Sequence, residues 1–227
     1  MLVALARAFA NLFTPALRRV VGLSIALAVA SFVVLWVAFA IVLDHSARFA
    51  WRPLDWLVDL LGTLAVMALS WLMFPAVVTI IMGFFLERIA GAVEAIDYPG
   101  QGPVRRAPVA ETALMTLRLM CLTILVNLLA LPVYLLLPGI NFFVFLGLNG
   151  YLFGREYFEV VALRRLDRMA TRAARQRFAG RVYLGGVVIA GLFIVPLVNL
   201  VAPVIATAFM VHLFEDLRRL EPHLPAA

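Results

Sequence analysis

Four long runs without an acidic or basic charge divide the chain, at residues 20–43, 60–86, 119–154 and 182–214. A helix rises about 1.5 Å per residue and a bilayer core is about 30 Å thick, so about 20 apolar residues make one crossing. The first two runs each predict a single crossing, the second long enough to tilt and with Pro75 placed to kink it. The last two are too long for one crossing, and each carries turn chemistry near its middle. Leu137-Pro138-Gly139-Ile140-Asn141 interrupts the third, and the stretch from Val195-Pro196 through Asn199 to Pro203 interrupts the fourth. Proline removes a helical donor and restricts the residue before it, while Gly and Asn accept turn geometry. Residues 182–195 and 204–214 would reach only about 21 and about 16 Å. The fourth run therefore predicts a hairpin of half-helices that enters and leaves by the same face. The third fits either a similar hairpin or two short spans.

Two further stretches are amphipathic. Residues 1–13 place Leu2, Leu5, Phe9, Leu12 and Phe13 on one stripe at helical spacing, with Arg7 and Asn11 opposite, which predicts a helix lying in the interface. Residues 155–181 carry eight Arg, with Arg164, Arg168 and Arg172 as a ridge facing away from Phe158, Val161, Leu166, Met169 and Ala173. That pattern predicts a basic helix held against anionic headgroups. The broken runs also resemble each other: Pro132 and Pro138 correspond to Pro196 and Pro203, and Glu156 and Glu159 to Glu215 and Asp216. Paired Pro-interrupted segments point to a transport site, or else to wedges that shape an oligomer interface.

The expected fold is an all-α integral membrane protein. It has two long transmembrane helices, two Pro-broken helical hairpins (partly inserted or short spans) and interfacial amphipathic helices. One membrane domain covers 1–227: an amphipathic helix at 1–14, transmembrane helices at 15–43 and 54–90, and a hairpin at 113–154. A basic cytoplasmic helix at 155–181 and a second hairpin at 182–217 complete it.

Composition supports the bilayer as solvent. The chain is 65% apolar and 14% charged with a mean hydropathy of +1.04, whereas a soluble domain carries about 25% charged residues. The net charge of +6 comes entirely from 19 Arg, with no Lys. A cytoplasmic N-terminus places 17 of the 19 Arg on the inner side and leaves Arg48 and Arg52 outside, a strong positive-inside bias. Cys121 is alone, so no internal disulfide can form.

Candidate chemistry is sparse. His45, His212 and His223 have no metal-ligand spacing, and neither a Gly-rich phosphate loop nor a Ser nucleophile elbow is present. The reading is of a non-enzyme without metal or cofactor and without a nucleic-acid partner. Gly185, Gly186 and Gly191 predict close helix packing. Thr14-Pro15-Ala16-Leu17-Arg18-Arg19 has the form of a helix start, with Thr14 as cap, Pro15 at the first position, and free N–H groups on Ala16, Leu17 and Arg18. A helix N-terminus is a poor place for two cations unless an anion sits among them, and headgroup anchoring is the competing reading. Arg118, Arg155, Glu156 and Glu159 could form an ion network along a water path or snorkel singly to headgroups. Asn141 and Asn199 fit as residues that close the hairpin turns.

Three stretches together resemble the CysZ-type sulfate permeases, within the wider etoposide-induced-protein family. They are Ile194 to Pro203 with Ala206-Thr207, Leu17-Arg18-Arg19 after a short amphipathic helix, and Pro138-Gly139-Ile140 leading through Asn149-Gly150-Tyr151 to Glu156-Tyr157. The resemblance implies two long transmembrane helices with two partly inserted hairpins, homo-oligomers, and residence in a bacterial inner membrane. It implies sulfate uptake feeding cysteine synthesis, with sulfate bound at Leu17, Arg18 and Arg19. The possible pathway residues are then Arg118, Asn141, Arg155, Glu156, Glu159 and Asn199. A non-transporting scaffold that binds lipid or partner proteins through its basic face is the alternative.

Overall fold

The computed structural model describes residues 1–45, 60–64, 67, 81, 85–102, 104–105, 109–136 and 138–220. Among these the regular structure is helical and there is no strand. The elements are α1 (Leu2–Leu12), α2 (Pro15–His45), α3 (Leu86–Asp97), α4 (Val109–Leu136) and a 3₁₀ turn (Pro138–Ile140). They continue with α5 (Asn141–Ala162), α6 (Arg168–Arg177), α7 (Ala179–Ile194), the single turn α8 (Pro196–Asn199) and α9 (Ala202–Leu220). The expected second transmembrane helix at 54–90, with Pro75, lies outside the described residues except for helical 60–64, isolated positions and the start of α3. The outer loop with Arg48 and Arg52, and His223, lie outside them as well.

Within α2, Pro15–Val34 is long and apolar enough to cross a membrane. Helices α6 and α7 satisfy the same length and composition only together, and they meet at 87°. The described residues thus contain one straight candidate span, or two if the bent pair is one span. Leu23, Val33, Val34 and Val37 are exposed on α2, and Leu128, Leu129, Leu135 and Leu136 on α4. These faces meet no protein core and are the ones lipid would cover.

Helix α9 is the centre of the molecule. Every residue from Ala202 to Glu215 is buried, because α1, α3, α5 and α7 pack around it. A helix that is apolar all round must be enclosed in this way. Phe209 and Met210 have no exposed surface, and Phe158 of α5 meets Phe214 edge-on at 5.8 Å between ring centroids.

The tightest contact is between α5 and α7. A Cβ built on Gly150 would lie 2.5 Å from Val187 Cγ2, one on Gly154 2.5 Å from the Val182 carbonyl, and one on Gly186 would overlap the Gly150 carbonyl. The two backbones touch because these three positions have no side chain, as in small-residue packing between membrane helices. Gly185 packs under Leu213 and Phe209 of α9, whereas Gly191, expected with this group, faces open space.

The expected breaks fall where proline chemistry puts them. Pro138 has no N–H for the Tyr134 carbonyl, and the Asn141 side-chain amide donates to that oxygen at 3.0 Å. Asn141 therefore closes the first turn. In the second break Val195 is extended (ψ 114°), and the Asn199 N–H donates to its carbonyl at 2.8 Å.

Two amphipathic readings change. Residues 155–181, expected as one basic helix, are divided among the end of α5, a turn, α6 and the start of α7. Charges at Arg155, Glu156 and Glu159 end the apolar run, but they do not end the helix that carries it. On α1 the docking face is Ala4, Ala8 and Asn11, with exposures of 1%, 0% and 5%, while Leu2 and Phe13 point outward. Small residues permit close approach to α9, and Leu5, Phe9 and Leu12 of the apolar stripe pack partly buried beside them.

A methyl group at Gly186 has no space. Gly186→Ala should lower stability by about 1–3 kcal/mol, the usual cost of overpacking, and Gly191→Ala should be nearly neutral. Thermal unfolding of the two variants in detergent checks the contrast.

Candidate functional site

The corner between α1 and α2 is built by backbone bonds. The Asn11 carbonyl accepts the Thr14 N–H at 2.9 Å and the Thr14 hydroxyl at 2.7 Å. Thr14 thus turns back onto α1, so its hydroxyl proton is spent on Asn11 and not on an anion. The first intrahelical bond of α2 is Arg18 N–H to the Thr14 carbonyl at 2.9 Å. Arg18 N–H is therefore occupied, and the donors ahead of that bond are Ala16 and Leu17. Leu17 is fully buried and anchors the helix start, while Arg18 and Arg19 are exposed. Two adjacent guanidinium groups beside the positive end of a helix make an electropositive corner that attracts an oxyanion.

The expected pathway residues do not form one network. Arg155 Nε donates to Glu159 Oε1 at 3.1 Å, and Arg175 approaches the same oxygen at 3.5 Å. Glu156 lies next to them, half-buried on α5. Asn141 sits at the first turn and Asn199 at the second, each with a buried side-chain oxygen that has no partner. Arg118 is on α4, and its side chain lies outside the described ones. The structure thus joins Arg155 with Glu159 and keeps Asn141 and Asn199 in the turns.

Two polar clusters were not visible in the sequence. In the first, Arg164 grips Glu94 with both ends of its fork, Nε to Oε1 at 3.0 Å and Nη2 to Oε2 at 3.1 Å, and also reaches the Glu87 carbonyl at 3.2 Å. Arg165 pairs with the same Glu94 carboxylate and with the Gly102 carbonyl. Gly91 leaves room for the Arg164 guanidinium over α3. Arg164 therefore faces inward, and the expected ridge of Arg164, Arg168 and Arg172 loses its first member because Glu94 offers a buried partner. Arg168 and Arg172 remain exposed on α6, as does Met169 beside them.

The second cluster surrounds His212, for which the sequence spacing offers no partner and which is buried with both ring nitrogens engaged. Nε2 is 3.1 Å from Asn11 Nδ2, and Nδ1 is 2.8 Å from Tyr98 Oη. Asn11 Nδ2 also donates to Asp97 Oδ2 at 2.8 Å. Burial and the Asp216 carboxylate push the Tyr98 phenol above its ordinary range, so it stays protonated. Arg219 lies over the Tyr98 ring at 5.7 Å. The Asp97-Tyr98-Pro99-Gly100 turn was legible as a turn, and Gly100 takes a left-handed φ of 88° there. No sequence signal linked it to residues 11 and 212.

Among the described residues no group of His, Cys, Asp and Glu is arranged to hold a metal ion. A long apolar helix and Pro-broken helical pairs are features of a helical membrane protein, and the start of α2 is electropositive. The family model described as sulfate transporter CysZ/etoposide-induced protein 2.4 matches residues 4–203. The chain belongs to that family, and its location is the membrane. No curated protein matches it.

Breaking one partner of a buried ion pair leaves the other charge stranded, at a cost of about 3–5 kcal/mol. Glu94→Ala should cost about 3 kcal/mol or more, and exposed Arg172→Ala should stay within about 0.5 kcal/mol. Denaturation midpoints measured side by side check the ratio.

Proposed function

We propose that this protein carries sulfate, or a closely related oxyanion, across the bacterial inner membrane as a channel or permease, feeding cysteine biosynthesis. Membership of the sulfate transporter family supports the substrate class. The observation that carries the reading is the start of α2, where exposed Arg18 and Arg19 follow buried Leu17 at a helix N-terminus. The anion is held there by the two guanidinium forks and by the N–H of exposed Ala16, while buried Leu17 fixes the backbone beside it. Arg155 and Glu159, with Glu156 beside them, and Arg118 on α4, line the route beyond the capture site. Asn141 and Asn199 keep the hairpin turns closed.

In this reading the N-terminus is cytoplasmic, the two broken runs are hairpins that insert partway, and copies of the chain assemble as homo-oligomers. The 87° angle between α6 and α7 supports one further point. When α7 enters the bilayer, α6 lies along its surface with Arg168 and Arg172 toward anionic headgroups. That same basic face would serve a scaffold that does not transport.

Labelled sulfate uptake into proteoliposomes separates the two. The intact protein should take up sulfate, and Arg18→Ala/Arg19→Ala should reduce uptake at low sulfate by at least about tenfold, given roughly 1.5–3 kcal/mol for each charged hydrogen bond lost. Absence of uptake by folded intact protein overturns transport in favour of the scaffold, for which Arg168→Ala/Arg172→Ala would be the damaging change.

A further inference from the structure

The polar cluster around His212 ends at the start of α2, although His212 lies far along the chain from it. The chemistry of Asn11 decides how the cluster is protonated. An amide nitrogen carries two hydrogens and accepts nothing. One hydrogen goes to Asp97 Oδ2 at 2.8 Å, so the other goes to His212 Nε2 at 3.1 Å. Nε2 is therefore bare, and the ring proton sits on Nδ1, which donates to Tyr98 Oη at 2.8 Å. The positive charge of Arg7 on α1 acts on Tyr98 as well. A single neutral tautomer of His212 satisfies all of these partners at once.

From Asn11 the bonds continue toward the anion site. Its carbonyl accepts the Thr14 N–H and hydroxyl, and the Thr14 carbonyl accepts the Arg18 N–H. A continuous series of hydrogen bonds therefore runs from His212 on α9 through Asn11 and Thr14 to Arg18. His212 has no exposed surface and Asn11 only 5%, so water does not replace a bond lost at either. The residues beside this series, Phe13, Arg18 and Arg19, are exposed. The corner is thus held from its buried side.

We propose that His212 is a positioning residue for the oxyanion site. As the Nδ1–H tautomer it fixes Asn11, and through Asn11 it fixes the α1–α2 corner from which Arg18 and Arg19 project. It does not touch the anion. The inference rests on the transport reading, since it assigns His212 to the same capture site.

The test uses the full chain in proteoliposomes with Cys121→Ser, and spin labels at Phe13→Cys and Met169→Cys, both exposed positions. His212→Leu removes the acceptor for Asn11, whereas His212→Gln places an amide oxygen near Nε2 that can accept it. Asn11→Ala removes the same link from the other side and carries the test if the Leu variant does not fold. The expected result for the Leu or Ala change is a broadened distance distribution and a half-saturating sulfate concentration raised about tenfold, as for about one net buried hydrogen bond. The maximal rate should change by less than about twofold, because positioning for capture governs affinity. His212→Gln should restore both the narrow distribution and the affinity. If intact protein transports and the Leu and Ala variants keep its half-saturation, the proposal is overturned while transport stands. A Gln variant as impaired as the Leu variant overturns it too, since the acceptor would then be irrelevant. If the intact protein takes up no sulfate, the transport reading fails first and this assignment falls with it.

Discussion

Enclosing α9 is the constraint on which the rest of the structure depends. A helix buried on every side must have each of its polar groups satisfied by protein. Thr207 meets this within the helix, its hydroxyl donating to the Pro203 carbonyl at 2.7 Å, and Glu215 is met by Arg218 at 3.1 Å. His212 can do neither, and its two nitrogens draw in Asn11 from α1 and Tyr98 from the turn after α3. One buried imidazole therefore ties three separate parts of the chain together. Close packing of α5 on α7 through Gly150, Gly154 and Gly186 completes the enclosure from the other side.

The outer elements have a different character. Helices α2 and α4 expose broad apolar faces, while α1, α3, α5 and α7 pack on α9. A packed centre with lipid-covered arms explains why the apolar runs are so unequal. Those of α2 and α4 leave apolar side chains exposed, and that of α9 forms a protein core. The electropositive start of α2 lies where an arm meets the centre, held there by buried Leu17.

Local chemistry made much of this legible in the sequence. Pro138 with Asn141, and Pro196 with Asn199, marked the two turns, because proline's missing donor, the Asn141 side chain and the Asn199 N–H all act within a few residues. The helix start at Pro15 was legible for the same reason, although the direction of the Thr14 hydroxyl was not. What stayed hidden depends on partners distant in the chain. Arg164 looked like part of an outward ridge until Glu94, 70 positions away, turned it inward. His212 looked isolated because Asn11 and Tyr98 lie 201 and 114 positions from it. The end of α5 was misjudged because a charged residue ends an apolar run without ending a helix. The packing role of Gly150 and Gly154 stayed hidden because it appears only against α7.

The central claim is that an oxyanion binds at the start of α2. Selenate has the shape and charge of sulfate, and its anomalous scattering locates it without ambiguity in crystals of the intact protein. The account predicts a selenate peak within hydrogen-bond reach of the Arg18 or Arg19 guanidinium and the N–H of Ala16. A peak elsewhere, with that corner empty at a selenate concentration that saturates binding, would contradict it.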